Sequence, residues 1–495
     1  MADESLKDRT IKGIGWSAME NMTRLGVTFV VGVILARLLS PEEYGLIGIL
    51  TIFIAIFNAI VDSGFTNALI RKQDVTDTDY STVFYTNLVL SAFLSLTLFV
   101  CARPIAVFFE RPELLKLTRV MSSILLINGF AIVQRARTTK MLDFRTQTKI
   151  TFISSIGSGI IGISMAYMGK GVWALVAQQI SNQVFSTILF WVYNRWIPKL
   201  IFSWSAFREM WSFGSKLLVS GLIDTFWKEV YQVVIGKCYS PATLGLYTRA
   251  KHFADLCSSN LTSVVQRVSY PVLSSIQGDK QRLKLAYKKV IKTTMLPTFV
   301  LMLGMAACAE SMIHVLIGKQ WLECVPMLQI ICTYGMLYPL HALNLNMLQV
   351  QGRSDLFLKL EIIKKIIGIG PLLLGVFVDI YLMLAGTLVT SLISYYLNAY
   401  YSGPFLKYNI KEQVKDILPS FGVAIAMAVP VFAMNLIPLN PFILLPLQII
   451  VGAIITICVC EGTKLPEYLE LKSIAMPLIK KLINTNNIWT INKLQ

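Results

Sequence analysis

Charge is scarce in this chain. Of 495 residues only 15% are Asp, Glu, Lys or Arg, where soluble globular proteins carry about 25%. With 55% hydrophobic residues and a mean hydropathy of +0.61, the composition excludes a soluble domain and fits a membrane protein. Histidine is scarcer still: His252, His314 and His341 are scattered, which excludes a histidine-rich metal centre or a catalytic dyad built on imidazole. Eight cysteines show no CxxC pair and lie mostly inside apolar runs, where a thiol behaves as a small hydrophobe, so a disulfide or zinc framework is not expected. The N-terminus mixes acidic and basic residues and has no short apolar core ending in a cleavage site. The expectation is that the first helix is retained.

Basic residues outnumber acidic ones by enough to give a net charge of +17. Nucleic-acid binding would need that charge on one wetted face. Instead it sits in short segments between apolar runs, where topology is decided. At about 20 apolar residues per span, the chain holds about fourteen candidates, including 12–38, 43–70, 114–136, 208–237, 241–269, 324–349 and 357–377. Alternate connections differ in Lys and Arg: one set holds Lys7, Arg71, Lys72, Lys140, Arg145, Lys199, the run "GDKQRLKLAYKKVIK", Arg353 and Lys407. The basic side stays cytoplasmic in such proteins, so both termini are expected there.

The stretch "SPEEYGL" at 40–46 returns 200 residues later as "SPATLGL" at 240–246. The same offset lays the span before each motif on the other, and six spans separate the copies. An even number means both halves enter the membrane from one side, a parallel repeat. The expected architecture is an all-α polytopic membrane protein: two six-helix lobes (1–200 and 201–405) around a central cavity, a pair of extra spans (406–462) and a cytoplasmic tail (463–495).

Polar residues recur every four positions in the two equivalent spans: Lys12, Trp16, Glu20, Arg24 and Thr28, then Ser212, Lys216, Ser220, Asp224 and Lys228. Four residues advance a helix by about 400°, which leaves a drifting stripe on one face. Arg24 and Asp224 fall about 18 Å inside their helices, a depth where an ionised group must face protein or water. Either the stripes are neutralised ion pairs holding helices in register, or they line a hydrated cavity. The next span adds Arg249, His252 and Asp255 on one face, and the span after the first motif adds Asn58 and Asp62. Cationic groups at this depth suit an anionic substrate with phosphate or carboxylate oxygens.

The segments "LKDRTIKGIGWSAMENMTRLGVTFVVGVILARLLSPEEYGLIGIL", "DSGFTNALIRK", "LYTRAKHFADL" and "VSYPVLSSIQGD" resemble the polysaccharide-transporter (Wzx-type) family of flippases, in the superfamily of the multidrug-and-toxin extrusion exporters. The resemblance spans essentially the whole chain and is strongest to the branch of colanic acid exporters. It implies a non-enzymatic inner-membrane protein, with no cofactor, that moves undecaprenyl-diphosphate-linked oligosaccharide from the cytoplasmic to the periplasmic leaflet by alternating access. On that reading Arg24, Lys216, Lys228 and Arg249 meet the diphosphate or acidic sugars, and Asp62, Asp224 and Asp255 are candidates for coupling to an H⁺ or Na⁺ gradient. The implied partners are the lipid-linked substrate, membrane lipid, and the polysaccharide polymerase and chain-length machinery. Three other readings compete: a multidrug exporter of the same fold, a glycosyltransferase or polymerase acting on lipid-linked sugars, and a non-transporting scaffold. The basic spans argue against the first. The outward connections, the longest of them near 309–323 and 102–113, are too short for the acidic catalytic site of the second.

Overall fold

A computed structural model describes residues 25–62, 64–473 and 476–477, and every regular element among them is helical. Packing divides the chain into two compact units, 1–248 and 249–495. The first contains α1 (Leu25–Leu38), α2 (Pro41–Asp62), α3 (Phe65–Arg71), α4 (Asp77–Phe108), α5 (Glu113–Met121), α6 (Ser123–Lys140), α7 (Phe144–Tyr167), α8 (Val172–Asn194), α9 (Trp204–Cys238) and the first turns of α10 (Pro241–Ser275). The boundary at 248/249 differs from the repeat boundary at 200/201. The reason is packing: α9 lies against α2, α3 and α4, so the first span of the second repeat is built into the first unit.

Both copies of the repeated motif start helices. Ser40 and Glu43 form a capping box at α2: the Glu43 carboxylate accepts from Ser40 N (2.7 Å) and the Ser40 hydroxyl accepts from Glu43 N (3.4 Å). At α10 the Ser240 hydroxyl accepts from Thr243 N at 3.1 Å, with no acid to complete the box. Each satisfies an amide that a helix start leaves unpaired.

The two helix starts also cross each other inside the first unit. A Cβ on Gly45 would lie 1.7 Å from the carbonyl oxygen of Pro241, and one on Gly245 would lie 1.9 Å from that of Pro41. The contact is reciprocal, residue for residue between the copies. Such distances put backbone against backbone, as small residues allow between membrane helices. Around the crossing, Gly236 at the end of α9 packs on Ile49, Phe109 and Leu244.

The second unit holds α11 (Lys280–Ala307), α12 (Ala309–Leu316), α13 (Val325–Gly335), α14 (Tyr338–Val350), α15 (Ser354–Ile367), α16 (Ile369–Phe377), α17 (Ile380–Ser402), α18 (Ile410–Ala433) and α19 (Pro441–Thr463), followed by a short helix over 466–473. Its core is knotted by the fully buried Asn344, whose side-chain oxygen accepts from Tyr287 Oη (3.0 Å), Ser402 Oγ (2.7 Å) and Gln413 Nε2 (3.2 Å). Three helices thereby bond to one amide of α14. At the basic end, Lys284 and Lys288 of α11 pair with Glu412 of α18 at 3.1 and 2.8 Å, and Lys288 also reaches Asp416 at 3.1 Å. Lys292 pairs with the buried Glu467 of the short helix at 3.3 Å.

Eight helical stretches among the described residues are long and apolar enough to cross a membrane, against the fourteen spans expected. Three causes account for the difference. The span expected at 12–38 lies partly outside the described residues, with only α1 described. The spans expected at 324–349 and 357–377 are broken, between α13 and α14 and at Gly368 between α15 and α16. Others are long but too polar: α8, α9 and α10 have 23, 35 and 35 residues and none is in the apolar set.

Replacing Gly45 or Gly245 with Ala forces the crossing apart, and overpacking of this kind costs about 1–3 kcal/mol or more. Gly422→Ala, where nothing lies within 4 Å, is the control. The melting temperature of detergent-purified protein should fall for the first two and hold for the third. Asn344→Ala strips the acceptor from three buried donors, at roughly 1–3 kcal/mol for each one left unpaired. The same melting assay should register a larger fall for it than for Asn409→Ala, at an exposed helix start.

Candidate functional site

The predicted residues fall on three helices and behave differently. Arg24, with Lys12, Trp16 and Glu20 of its stripe, lies outside the described residues. Lys216, Asp224 and Lys228 are all exposed on α9. That helix is buried only near its ends, at Ala206, Met210, Gly214, Ile235 and Gly236, so 20 consecutive residues, 215–234, contain no buried position. A charged, unburied stretch in the middle of a helix of this length cannot face hydrocarbon, where each ionised group costs several kcal/mol. Its polar face must meet water or a polar ligand. Trp227, beside Lys228, is half-buried.

On α10, Arg249, His252 and Asp255 follow at three-residue steps. Arg249 and His252 are half-buried; Asp255 is exposed and accepts from Ser259 Oγ at 3.4 Å. Further along, Ser258 Oγ donates to the Gly335 carbonyl (2.7 Å) at the break between α13 and α14, and Gln266 Nε2 donates to Asn346 (3.3 Å). The hydroxyl thus satisfies a carbonyl at the interruption. Asp62, the last residue of α2, is exposed and accepts from Thr66 Oγ1 at 2.6 Å. It sits at the helix end, twenty residues along α2 from Glu42.

Basic residues near helix ends take up structural partners. Arg137 lies over the rings of Tyr80 and Trp196 (5.9 and 5.8 Å), and Arg135 over Phe190 at 5.7 Å. Lys364 pairs with Glu361. Lys72 bonds Glu209 (3.0 Å) and Asp79 (3.1 Å); partial burial opposes its charge, but the two carboxylates outweigh that and hold the ammonium above its ordinary value. On the other rim, the Lys237 ammonium hydrogen-bonds Glu110 and holds that carboxyl below its usual range.

A second polar set joins Asn58, named from the sequence, to residues the sequence did not single out. Gln183 Nε2 of α8 donates to Asn128 Oδ1 of α6 at 3.2 Å, and Asn128 Nδ2 donates to Asn58 Oδ1 of α2 at 2.9 Å. All three are half-buried. On the same face of α8 stand Gln179, Asn182 and Ser186, also half-buried. The run "QQISNQ" (178–183) inside a span was the available signal. Two cavities of about 590 Å³ each lie in the second unit, one lined by Leu303, Gln329, Thr333 and Phe432, the other by Arg353, Tyr400, Phe405 and Lys407. Neither includes a predicted site residue. Among the described residues no group of His, Cys, Asp and Glu could hold a metal ion.

Comparison with known proteins gives this arrangement its context. The chain is 25% identical to the teichuronic acid biosynthesis protein TuaB of Bacillus subtilis (strain 168), over 87% of this chain and 90% of that protein. It is 27% identical to the succinoglycan biosynthesis transport protein ExoT of Rhizobium meliloti (strain 1021), over 66% and 67% of the two chains. In fold it is similar to the lipid II flippase MurJ in an inward closed conformation, with a TM-score of 0.74 at 15% identity, covering 91% of this chain and 98% of that one. A multidrug resistance transporter of the MATE family, inward-facing, shares the fold at a TM-score of 0.59 and 15% identity, over 79% and 99%. Residues 34–326, more than half of the chain, match the family model described as polysaccharide biosynthesis protein. The chain belongs to that family, and it is a multi-pass membrane protein.

Proposed function

We propose that this protein flips undecaprenyl-diphosphate-linked oligosaccharide repeat units from the cytoplasmic to the periplasmic leaflet of the bacterial inner membrane, for assembly of a surface polysaccharide. The observation that carries the reading is the unburied, charged middle of α9, where Lys216 and Lys228 stand at membrane depth. An ammonium there is stabilised by an anionic ligand, and a diphosphate offers dense oxygen acceptors to Lys and Arg. Arg249, one turn along α10 from Gly245, and Arg24 complete the proposed cationic set. In this account the duplicated plan, 1–200 and 201–405, supplies two lobes that alternate access, with both termini cytoplasmic. The polymerase and chain-length machinery would receive the product on the far side.

Coupling is assigned to Asp62, Asp224 and Asp255, carboxylates that exchange H⁺ or Na⁺ as the lobes move. A carboxylate beside a cationic ligand site is sensitive to whether the substrate is bound, which is what coupling requires.

Neutralising Lys216, Lys228 and Arg249 together, each to Gln, should lower export at least about tenfold, a loss on the scale of one or two charge-assisted contacts. The assay is surface glycan in a strain lacking its own flippase, with lipid-linked oligosaccharide accumulating on the inner side. Unchanged export would end the assignment. Asp62→Asn, Asp224→Asn and Asp255→Asn should each make transport in proteoliposomes less responsive to an imposed H⁺ or Na⁺ gradient. Transport by wild type that ignores both gradients removes the coupling role.

A further inference from the structure

The amide face of α8 has no role in the account so far. Gln179, Asn182, Gln183 and Ser186 follow the i, i+3, i+4, i+7 pattern that places residues on one side of a helix. Ile188 and Val192, 53% and 60% exposed, stand five and nine residues past Gln183, about 140° and 180° around the helix. The side of α8 that meets lipid is therefore opposite the amides. Toward the interior, Gln183 joins the line that runs through Asn128 to Asn58, crossing three helices at membrane depth.

This line has loose ends. Its direction leaves the Asn58 amide nitrogen as a donor at one end and the Gln183 side-chain oxygen as an acceptor at the other. The side chains of Gln179 and Asn182 make no hydrogen bond to any described residue, and both are only half-buried. An amide held unpaired in an apolar medium costs roughly 2–7 kcal/mol, and lipid offers it nothing. A row of them on an interior face is stable when water or a ligand supplies the missing bonds. The set carries no charge. It suits hydroxyl and acetamido groups, which both donate and accept, and offers a diphosphate only the neutral donors of its amides.

We propose that Asn58, Asn128, Gln179, Asn182 and Gln183 form a glycan subsite in the first unit, reading the uncharged hydroxyls of the sugar nearest the diphosphate. The proposal rests on the flippase reading and divides the substrate in two: cations for the phosphates, neutral amides for the sugar. A site built from hydrogen-bonding groups discriminates strongly, because a ligand lacking the matching hydroxyl leaves them unpaired. Selectivity among glycans then follows from the pattern of amides along α8.

The test uses the purified full-length protein in nanodiscs, titrated by intrinsic fluorescence with undecaprenyl diphosphate and with the same lipid carrying one glucose, galactose or N-acetylglucosamine. Wild type should bind at least one sugar-bearing lipid about tenfold tighter than the bare diphosphate. Gln179→Leu with Asn182→Leu should erase that preference while leaving bare-diphosphate affinity within about twofold. Swapping the pair, Gln179→Asn with Asn182→Gln, should restore part of it. A double Leu variant that keeps the full preference overturns the subsite, as does one that loses both ligands equally while melting normally. Wild type that binds bare and sugar-bearing lipids alike overturns the subsite and leaves the flippase reading intact. Binding of neither lipid overturns both.

Discussion

The crossing of α2 and α10 at Gly45 and Gly245 is the contact on which the geometry of the polar groups depends. Backbone meets backbone there, so neither helix can slide or turn without a clash. Three consequences follow from one point. α10 starts at the crossing, so its first turns are held there. α2 is pinned near its start, and Asn58 lies thirteen residues along from Gly45. The end of α9 is held in the same place, because Gly236 packs on Ile49 and Leu244. The long middle of α9, which has no buried position, lies between ends that are held.

A transporter has to carry polar groups through a medium that penalises them, and this chain concentrates the penalty. The apolar stretches that read as spans, from α2 to α19, are ordinary membrane helices by length and composition. The three long helices outside that set, α8, α9 and α10, carry the amides, the lysines and the Arg249, His252, Asp255 face. Their polarity is affordable only where water or substrate reaches them. In the second unit three donors converge on Asn344, and Lys284, Lys288 and Lys292 of α11 are paired with acids of α18 and the helix that follows α19. Those paired groups hold the second unit together; the amides of Gln179 and Asn182 on α8 mark where bonding to a ligand is available.

Much of this was legible before any coordinates. The capping chemistry of Ser40 and Glu43 is local, and local rules located it. The repeat was visible because Ser, Pro, Gly and Leu recur at one offset. That the two motifs press on each other was not, since sequence shows equivalence and says nothing of contact. The division at 248 rather than 200 was hidden for the same reason: a repeat boundary records duplication, and a packing boundary records which faces are buried. The breaks within the spans at 324–349 and 357–377 had faint signals in Pro339 and Gly368, masked by hydropathy on both sides. Of the three amides in the line, only Asn58 stood out in the sequence. Their pairing joins positions 58, 128 and 183, which no spacing rule connects.

The line from Gln183 through Asn128 to Asn58 has one more property. An amide presents a donor on one side and an acceptor on the other, and half a turn about the terminal bond exchanges them. If all three turn together, both internal hydrogen bonds survive with their sense reversed. The end at Asn58 then offers an oxygen where it offered a nitrogen, and the end at Gln183 the converse. Two hydrogen-bonding faces are thus available from one set of side chains without moving a helix. A sugar hydroxyl both donates and accepts, so it can meet either face, and the sugar that binds sets which sense the line takes.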